Sequence, residues 1–81
     1  MKNELISNID KVHTTELGVV RIKKNLSLDT DDVVQWCKLK IVADNANIER
    51  QAKNWYVTVD DAIITVNAYS FTIITAHRRK K

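Results

Sequence analysis

The segment from Lys53 to His77 constrains the fold of this chain more than any other stretch. It is rich in Val, Ile, Thr, Tyr, Phe and Trp, the residue types that suit a half-buried pleated surface. Asp60-Asp61 and Ala68-Tyr69 interrupt its apolar runs, and Asp tolerates the dihedral angles of tight turns. The pattern predicts three antiparallel strands joined by two two-residue turns.

These turns fix a register that places apolar residues opposite each other. The predicted pairs are Val59 with Ala62, Val57 with Ile64, Trp55 with Val66, Val66 with Phe71, and Ile64 with Ile73. Because side chains alternate along a strand, the opposite face is mostly polar. It carries Asn54, Tyr56, Thr58, Ile63, Thr65, Asn67, Ser70, Thr72 and Ile74. The same register turns His77 toward the apolar face.

Three helices are predicted ahead of the sheet. The first spans residues 3–12 with Asn3 as its cap, and the second runs from a cap at Thr15 to about Leu26. The third runs from about residue 31 to 43 after a cap at Asp29 or Thr30. The predicted core residues of the last two helices are Leu17, Val20, Ile22, Leu26, Val33, Val34, Cys37 and Ile41. Trp55, Phe71 and Trp36 are expected to contribute most to the core.

Helices followed by strands predict an α+β fold, with the N-terminal helices packed on one face of a C-terminal three- to four-stranded antiparallel meander. The fourth strand would come from residues 48–50, which are either a short strand or irregular. Residues 1–81 are expected to form a single domain, made of a helical half (1–46), a sheet (47–77) and a basic tail (78–81).

Composition narrows the function classes. The chain has no proline, one glycine (Gly18) and one cysteine (Cys37), so it has neither a glycine-rich phosphate loop nor an internal disulfide. No apolar run has membrane-spanning length and the N-terminus does not resemble a signal peptide, so we expect a cytoplasmic protein without membrane contact. No spacing of His and Cys matches a metal site, and no cofactor is predicted.

The net charge of +3 comes from the C-terminus. Without Arg78, Arg79, Lys80 and Lys81, nine basic residues stand against ten acidic ones. The folded body is therefore close to neutral, and the tail either contacts phosphate or keeps the protein soluble.

His13 and His77 are the candidate catalytic residues, because two histidines can act as the acid–base pair of a metal-free ribonuclease. The basic cluster containing Arg21 and Lys24 can contact phosphates. The candidate binding residues are Arg21, Lys24, Lys53, Asn54, Tyr56, Asn67 and Ser70, which with Tyr69 would suit single-stranded RNA. The alternative interpretation is a solvated helix and sheet surface. Whether the protein is an enzyme stays open.

Four blocks of the sequence, His13–Gly18, Arg21–Leu26, Lys53–Val57 and Ile73–His77, resemble a family of small bacterial proteins classified as a domain of unknown function. The resemblance spans nearly the whole chain and implies no activity. It implies glycine at position 52, where this chain has Ala52.

The order of helices and strands is also similar to that of the barnase, colicin and RelE-type ribonuclease toxins. By position alone, that likeness points to His13, Arg21, Lys24, Tyr56, Asn67, Ser70 and His77, with the open sheet face as the active site. Two functions therefore stay open. One is an RNA-binding or RNA-cleaving domain that uses the open sheet face. The other is a non-enzymatic interaction module that buries Ile63 and Ile74 against a protein partner or a second copy.

Overall fold

The helices precede the strands along the chain in the computed structural model, which describes residues 4–79. The helical elements are α1 (Glu4–Ser7), a 3₁₀ turn (Ile9–Lys11), α2 (Glu16–Leu26) and α3 (Val33–Ile41). The strands are β1 (Asn47–Gln51), β2 (Asn54–Val59), β3 (Ala62–Asn67) and β4 (Ile73–Arg78), and they form one antiparallel sheet in the order β1-β2-β3-β4. The predicted α+β fold is confirmed. The predicted cap Asn3 and the tail residues Lys80 and Lys81 lie outside the described residues.

Helix α2 begins and ends where the sequence predicts. The Gly18 amide donates to the hydroxyl of the cap residue Thr15, and Ser27 closes the helix in a left-handed conformation. Ile22 and Leu26 are buried.

The prediction that Leu17 and Val20 join the core is wrong, because both are largely exposed. The rotation of α2 is set by two hydrogen bonds to β4: Thr14 Oγ1 donates to the Ile73 carbonyl, and Asn25 Nδ2 donates to the Ala76 carbonyl. These contacts turn the other side of the helix toward the sheet.

The other two helices are shorter than predicted. Helix α1 ends at Ser7, where the Asn8 side-chain amide donates to the Glu4 carbonyl. The cap of α3 is Asp32, which accepts from the Gln35 amide, whereas Thr30 Oγ1 accepts from the Asp32 amide instead of capping the helix. The predicted caps, Asp29 and Thr30, therefore lie before the observed cap in sequence.

The β2–β3 hairpin has the predicted register: Val59 pairs with Ala62, Val57 with Ile64 and Trp55 with Val66. The apolar face of this hairpin is buried. Helix α3 contacts β2, and helix α2 contacts the neighbouring strand β4. Trp55 is 2% exposed and lies within the core, whereas Trp36 and Phe71 are only half-buried at its margin.

The predicted register of the β3–β4 hairpin is wrong. Val66 pairs with Ile73 and Thr65 with Thr75, so Ile74 is an extra residue in a β-bulge. The turn before it is also longer than two residues, because the Asn67 side chain accepts from the amides of Tyr69 and Ser70 and holds them in a wider loop.

The bulge reverses which side chains face the helices only in the part of β4 that follows Ile74. Ala76 is buried, whereas His77 pairs with Ile63 and lies on the open face, opposite to the prediction. In the observed register, the residues of β1 to β4 that lie on the open face include no Lys or Arg.

Candidate functional site

The N-terminal segment adds itself to the edge of the sheet beside His13. His13 and Thr72 form a parallel bridge, in which the His13 amide donates to the Phe71 carbonyl at 3.1 Å and the Ile73 amide donates to the His13 carbonyl at 2.7 Å. The β1–β2 and β3–β4 turns lie at this same end, since the Ala68 amide donates to the Lys53 carbonyl at 2.7 Å. We call this region the His13 end.

Four side chains form a hydrogen-bonded polar cluster at the His13 end: His13, Asn67, Ser70 and Thr72. His13 Nδ1 is 2.8 Å from the Lys11 carbonyl oxygen, which can only accept, so Nδ1 carries a proton. In the neutral ring Nε2 is then an acceptor, 3.1 Å from Thr72 Oγ1. Thr72 Oγ1 lies 2.8 Å from Ser70 Oγ, which lies 3.2 Å from Asn67 Oδ1. The cluster fixes both the tautomer and the orientation of the imidazole.

Beside the polar cluster, two cations and three aromatic rings lie next to one another in a row. Lys11 Nζ lies 5.8 Å from the Phe71 ring centre, and the Phe71 and Trp55 rings are 5.4 Å apart. Arg50 Cζ lies 5.5 Å from the Trp55 ring and 5.9 Å from the Tyr69 ring. We call these five residues the cation–aromatic row. Attraction between a cation and a ring face positions each charge without neutralising it.

Within residues 4–79, the cations at the His13 end form no ion pair with a carboxylate. Among residues 4–79, none of Lys11, Arg50 and Lys53 forms an ion pair; the ion pairs of the described chain are Lys23–Asp31, Lys40–Asp60 and Arg78–Asp61. Asp10 and Glu16, the acidic residues nearest to His13 in sequence, form none either. Tyr69 is 73% exposed, so an aromatic face is accessible next to these charges.

The opposite end of the sheet, which we call the Asp60 end, holds the Asp60–Asp61 turn. Lys40 Nζ is 2.9 Å from Asp60, Asn45 Nδ2 is 2.8 Å from the same carboxylate, and Arg78 is 2.9 Å from Asp61. The hydrogen bonds from Lys40 and Asn45 lower the pKa of Asp60. A cavity of about 50 Å³ lies beside this turn, large enough for water only.

The structure brings together five of the nine predicted site residues. His13, Asn67 and Ser70 belong to the polar cluster, Lys53 lies in the adjacent turn, and Asn54 pairs with Asn67 across the sheet. Asn54 Oδ1 is buried and has no hydrogen-bond donor in the part of the chain that is described.

The other four predicted residues lie elsewhere. Tyr56 is on the middle of the open face, and Arg21 and Lys24 are exposed on α2. His77 lies toward the Asp60 end of β4, where Nδ1 contacts the Arg78 carbonyl at 3.0 Å. It is separated from Thr72, the neighbour of His13, by roughly 15 Å of strand. The two histidines are therefore not placed to act on one substrate group.

Sequence reasoning missed Lys11 and Arg50. Arg50 was within reach: a two-residue turn at Ala52–Lys53 pairs Arg50 with Trp55 and places both on the same face. Lys11 had no such signal, because its neighbour Phe71 follows it by sixty positions and the contact depends on the bridge at His13.

Metal and thiol chemistry have little support among residues 4–79. Those residues include no group of three or more His, Cys, Asp or Glu side chains arranged to hold a metal ion. Cys37 is buried, and burial raises the pKa of its thiol to about 12, so it is not a nucleophile at neutral pH. No described helix combines the length and the hydropathy needed to span a membrane.

Comparison with known proteins identifies the family of the chain but not its function. Neither the curated proteins nor the solved structures gave a match, so the likeness to ribonuclease toxins is not confirmed. The family model described as "protein of unknown function (DUF3781)" matches residues 6–77, which include the His13 end and all four strands up to His77. The chain belongs to the DUF3781 family.

Proposed function

We propose that this protein binds single-stranded RNA at the His13 end of its sheet. The observation that carries the proposal is the cation–aromatic row, in which Lys11 and Arg50 lie over rings and have no carboxylate partner among residues 4–79. Single-stranded nucleic acids are bound by cations that contact phosphates and by aromatic faces on which bases stack.

The exposed Tyr69 ring is the stacking surface in this proposal, and Arg50 and Lys53 contact the phosphates on either side of the stacked base. The hydroxyls of Ser70 and Thr72 and the Nε2 atom of His13 lie within the adjoining polar cluster. Such groups hydrogen-bond to the 2′-hydroxyl, which distinguishes RNA from DNA. The sequence-based proposal used the open sheet face; the absence of Lys and Arg from the described part of that face favours the His13 end instead.

Binding has more support than cleavage by a histidine pair. His77 lies at the far end of β4 from His13, so a single phosphodiester does not reach both rings. A cleavage role for His13 would need its Nε2 atom to leave Thr72 and accept a proton from a ribose hydroxyl.

Fluorescence anisotropy with a short labelled RNA, and with DNA of the same sequence, tests the proposal over a series of salt concentrations. Replacing Tyr69 by alanine should weaken RNA binding roughly tenfold through the loss of one stacked base. The double change Arg50→Gln and Lys53→Gln should lower the slope of log affinity against log salt by about 1.4, since each phosphate contact contributes about 0.7.

The matched control is the double change Arg21→Gln and Lys24→Gln, which removes the same two charges from exposed positions on α2 outside the His13 end. A chain without Lys80 and Lys81 controls for the basic tail. Equal losses in the control and in the Arg50 and Lys53 variant, or no RNA binding by the unaltered protein, would overturn the proposal. Electrophoresis of the RNA after incubation with the unaltered protein and with His13→Ala reports cleavage separately.

A further inference from the structure

The two edges of the sheet are finished differently. The outer edge of β4 is occupied by the His13 bridge and by side-chain hydrogen bonds from Thr14 to Ile73 and from Asn25 to Ala76. No described residue covers the outer edge of β1 in this way. An uncovered edge strand presents a row of free amides and carbonyls that pair with another strand.

The hairpin geometry shows which backbone groups of β1 are free. Gln51 and Asn54 flank the two-residue turn and form a hydrogen-bonded pair, so Gln51, Glu49 and Asn47 direct their amides and carbonyls toward β2. Ile48 and Arg50 alternate with them and point outward. Their backbone groups make no hydrogen bond to any other element within residues 4–79.

We infer that two copies of this chain join β1 to β1 in antiparallel orientation, around a two-fold axis at Ile48, to form a continuous eight-stranded sheet. The inference rests on the β1 edge and does not require RNA binding, although the dimer and RNA would compete for Arg50, which belongs to the cation–aromatic row.

The charges along β1 favour pairing with a second copy in this register over the neighbouring registers. With the axis at Ile48, two apolar side chains face each other and Asn47 of each copy faces Glu49 of the other, as donor to acceptor. An axis at Glu49 would place two carboxylates face to face, and an axis at Arg50 two guanidinium groups, both of which are unfavourable.

The residues beyond the strand fit the same register. Continuing the pairing brings Asp44 of one copy opposite Ala52 of the other, between Arg50 and Lys53. Asp44 is exposed and forms no ion pair in the described chain. The pairing would therefore supply a carboxylate to two cations that have no ion pair among the described residues of one copy. Since β1 has five residues, we expect a weak dimer whose population depends on concentration.

Light scattering over a range of protein concentrations tests the inference together with Ile48→Pro. Proline removes the outward amide of Ile48, which the single chain does not use, and it is tolerated on the free side of edge strands. The unaltered protein should approach twice the mass of one chain as concentration rises, whereas Ile48→Pro should keep the mass of one chain with an unchanged far-ultraviolet circular dichroism spectrum. The matched control is Ile74→Ser, which alters the exposed apolar residue of the open face and should dimerise like the unaltered protein.

Cysteine cross-linking gives a second readout that does not depend on the folding of the proline variant. In the inferred register Ile48→Cys places two thiols directly opposite each other, whereas Glu49→Cys leaves them two rows apart, so oxidation should cross-link the first and not the second. The native Cys37 is buried and does not interfere. A single-chain mass at every concentration, a dimer of Ile48→Pro, or faster cross-linking through position 49 would each overturn the inference.

Discussion

The charged side chains at the two ends of the sheet have different kinds of partner. At the Asp60 end every carboxylate of the turn has a cation: Lys40 binds Asp60 and Arg78 binds Asp61. At the His13 end Arg50 and Lys11 lie over aromatic rings and have no carboxylate among the described residues. The first arrangement fastens the turn to α3 through Lys40 and to β4 through Arg78. The second positions charge and leaves it available, which is what an anion-binding surface needs.

The two tryptophans give the largest expected difference between the ends. Both lie under a cation, Trp55 under Arg50 and Trp36 under Lys40, but Trp55 is 2% exposed and Trp36 is half-buried. Trp55→Ala should lower the free energy of unfolding by about 3–5 kcal/mol, and Trp36→Ala by about half as much. Urea unfolding followed by circular dichroism measures both. Equal losses would mean that the ring at the Asp60 end belongs to the core as fully as Trp55 does.

Gly18 should matter next most, because a side chain at this position would overlap Thr14, which connects the start of α2 to β4. A Cβ atom at this position would lie 2.1 Å from Thr14 Oγ1, which donates to the Ile73 carbonyl. We expect Gly18→Ala to destabilise the protein by about 1–3 kcal/mol through this overlap, although alanine is the better helix former by about 1 kcal/mol.

The double change Thr14→Ala and Gly18→Ala serves as the control for that prediction, because it removes the overlapping hydroxyl. It should recover part of the lost stability in the same urea titration. If Gly18→Ala is instead more stable than the unaltered protein, then the contact of Thr14 with β4 does not fix the position of α2.

The two-residue turns of the β1–β2 and β2–β3 hairpins each begin with a left-handed residue, Ala52 at the His13 end and Asp60 at the opposite end, both with φ of 55°. A side chain in this conformation costs roughly 1 kcal/mol that glycine avoids. Ala52→Gly should therefore raise the free energy of unfolding by about 0.5–1 kcal/mol. Asp60→Gly should give no such gain, because it also removes the contacts with Lys40 and Asn45. Thermal unfolding of the pair measures the difference; a gain at position 60 would show that those contacts contribute nothing.

The smallest expected effect is a pH dependence of stability at the Asp60 end. Hydrogen bonds from Lys40 and Asn45 lower the pKa of Asp60 below its ordinary 3.8, so the folded chain holds the carboxylate more strongly than the unfolded chain. The resulting stability is present above that ordinary value and is lost as pH falls through the lower folded pKa. Asp60→Asn should flatten the fall in melting temperature below about pH 4 relative to the unaltered protein. An identical acid profile in the variant would assign the loss to other carboxylates.

The part of the fold that follows from sequence is the part fixed by local chemistry. The β2–β3 register follows from two aspartates between alternating apolar runs, and the start of α2 from a threonine that caps it. The β3–β4 register does not follow, because Asn67 folds its side chain over the turn and Phe71 takes a left-handed conformation with φ of 59°. That conformation is held by the bond from the His13 amide to the Phe71 carbonyl, and His13 is far away in sequence.

The candidate site divides in the same way. Lys53, Asn67 and Ser70 lie in or beside turns that the strand pattern locates, so they were predicted together. Lys11 and His13 reach the site only because the N-terminal segment joins the sheet. No periodicity in the sequence of that segment predicts this bridge. His77 lies at the opposite end of β4 from His13, and the bulge at Ile74, which the strand pattern does not indicate, places it on the open face.

The bridge between His13 and Thr72 also orders the events of folding. The meander from β1 to β4 closes through short turns, whereas the bridge must close a long loop, which costs more chain entropy and slows its formation. The Ile73 amide, which donates to the His13 carbonyl, thus reports the arrival of the N-terminal segment, and the Val57 amide within the meander reports the sheet itself. In a hydrogen-exchange experiment during refolding, Val57 should become protected before Ile73.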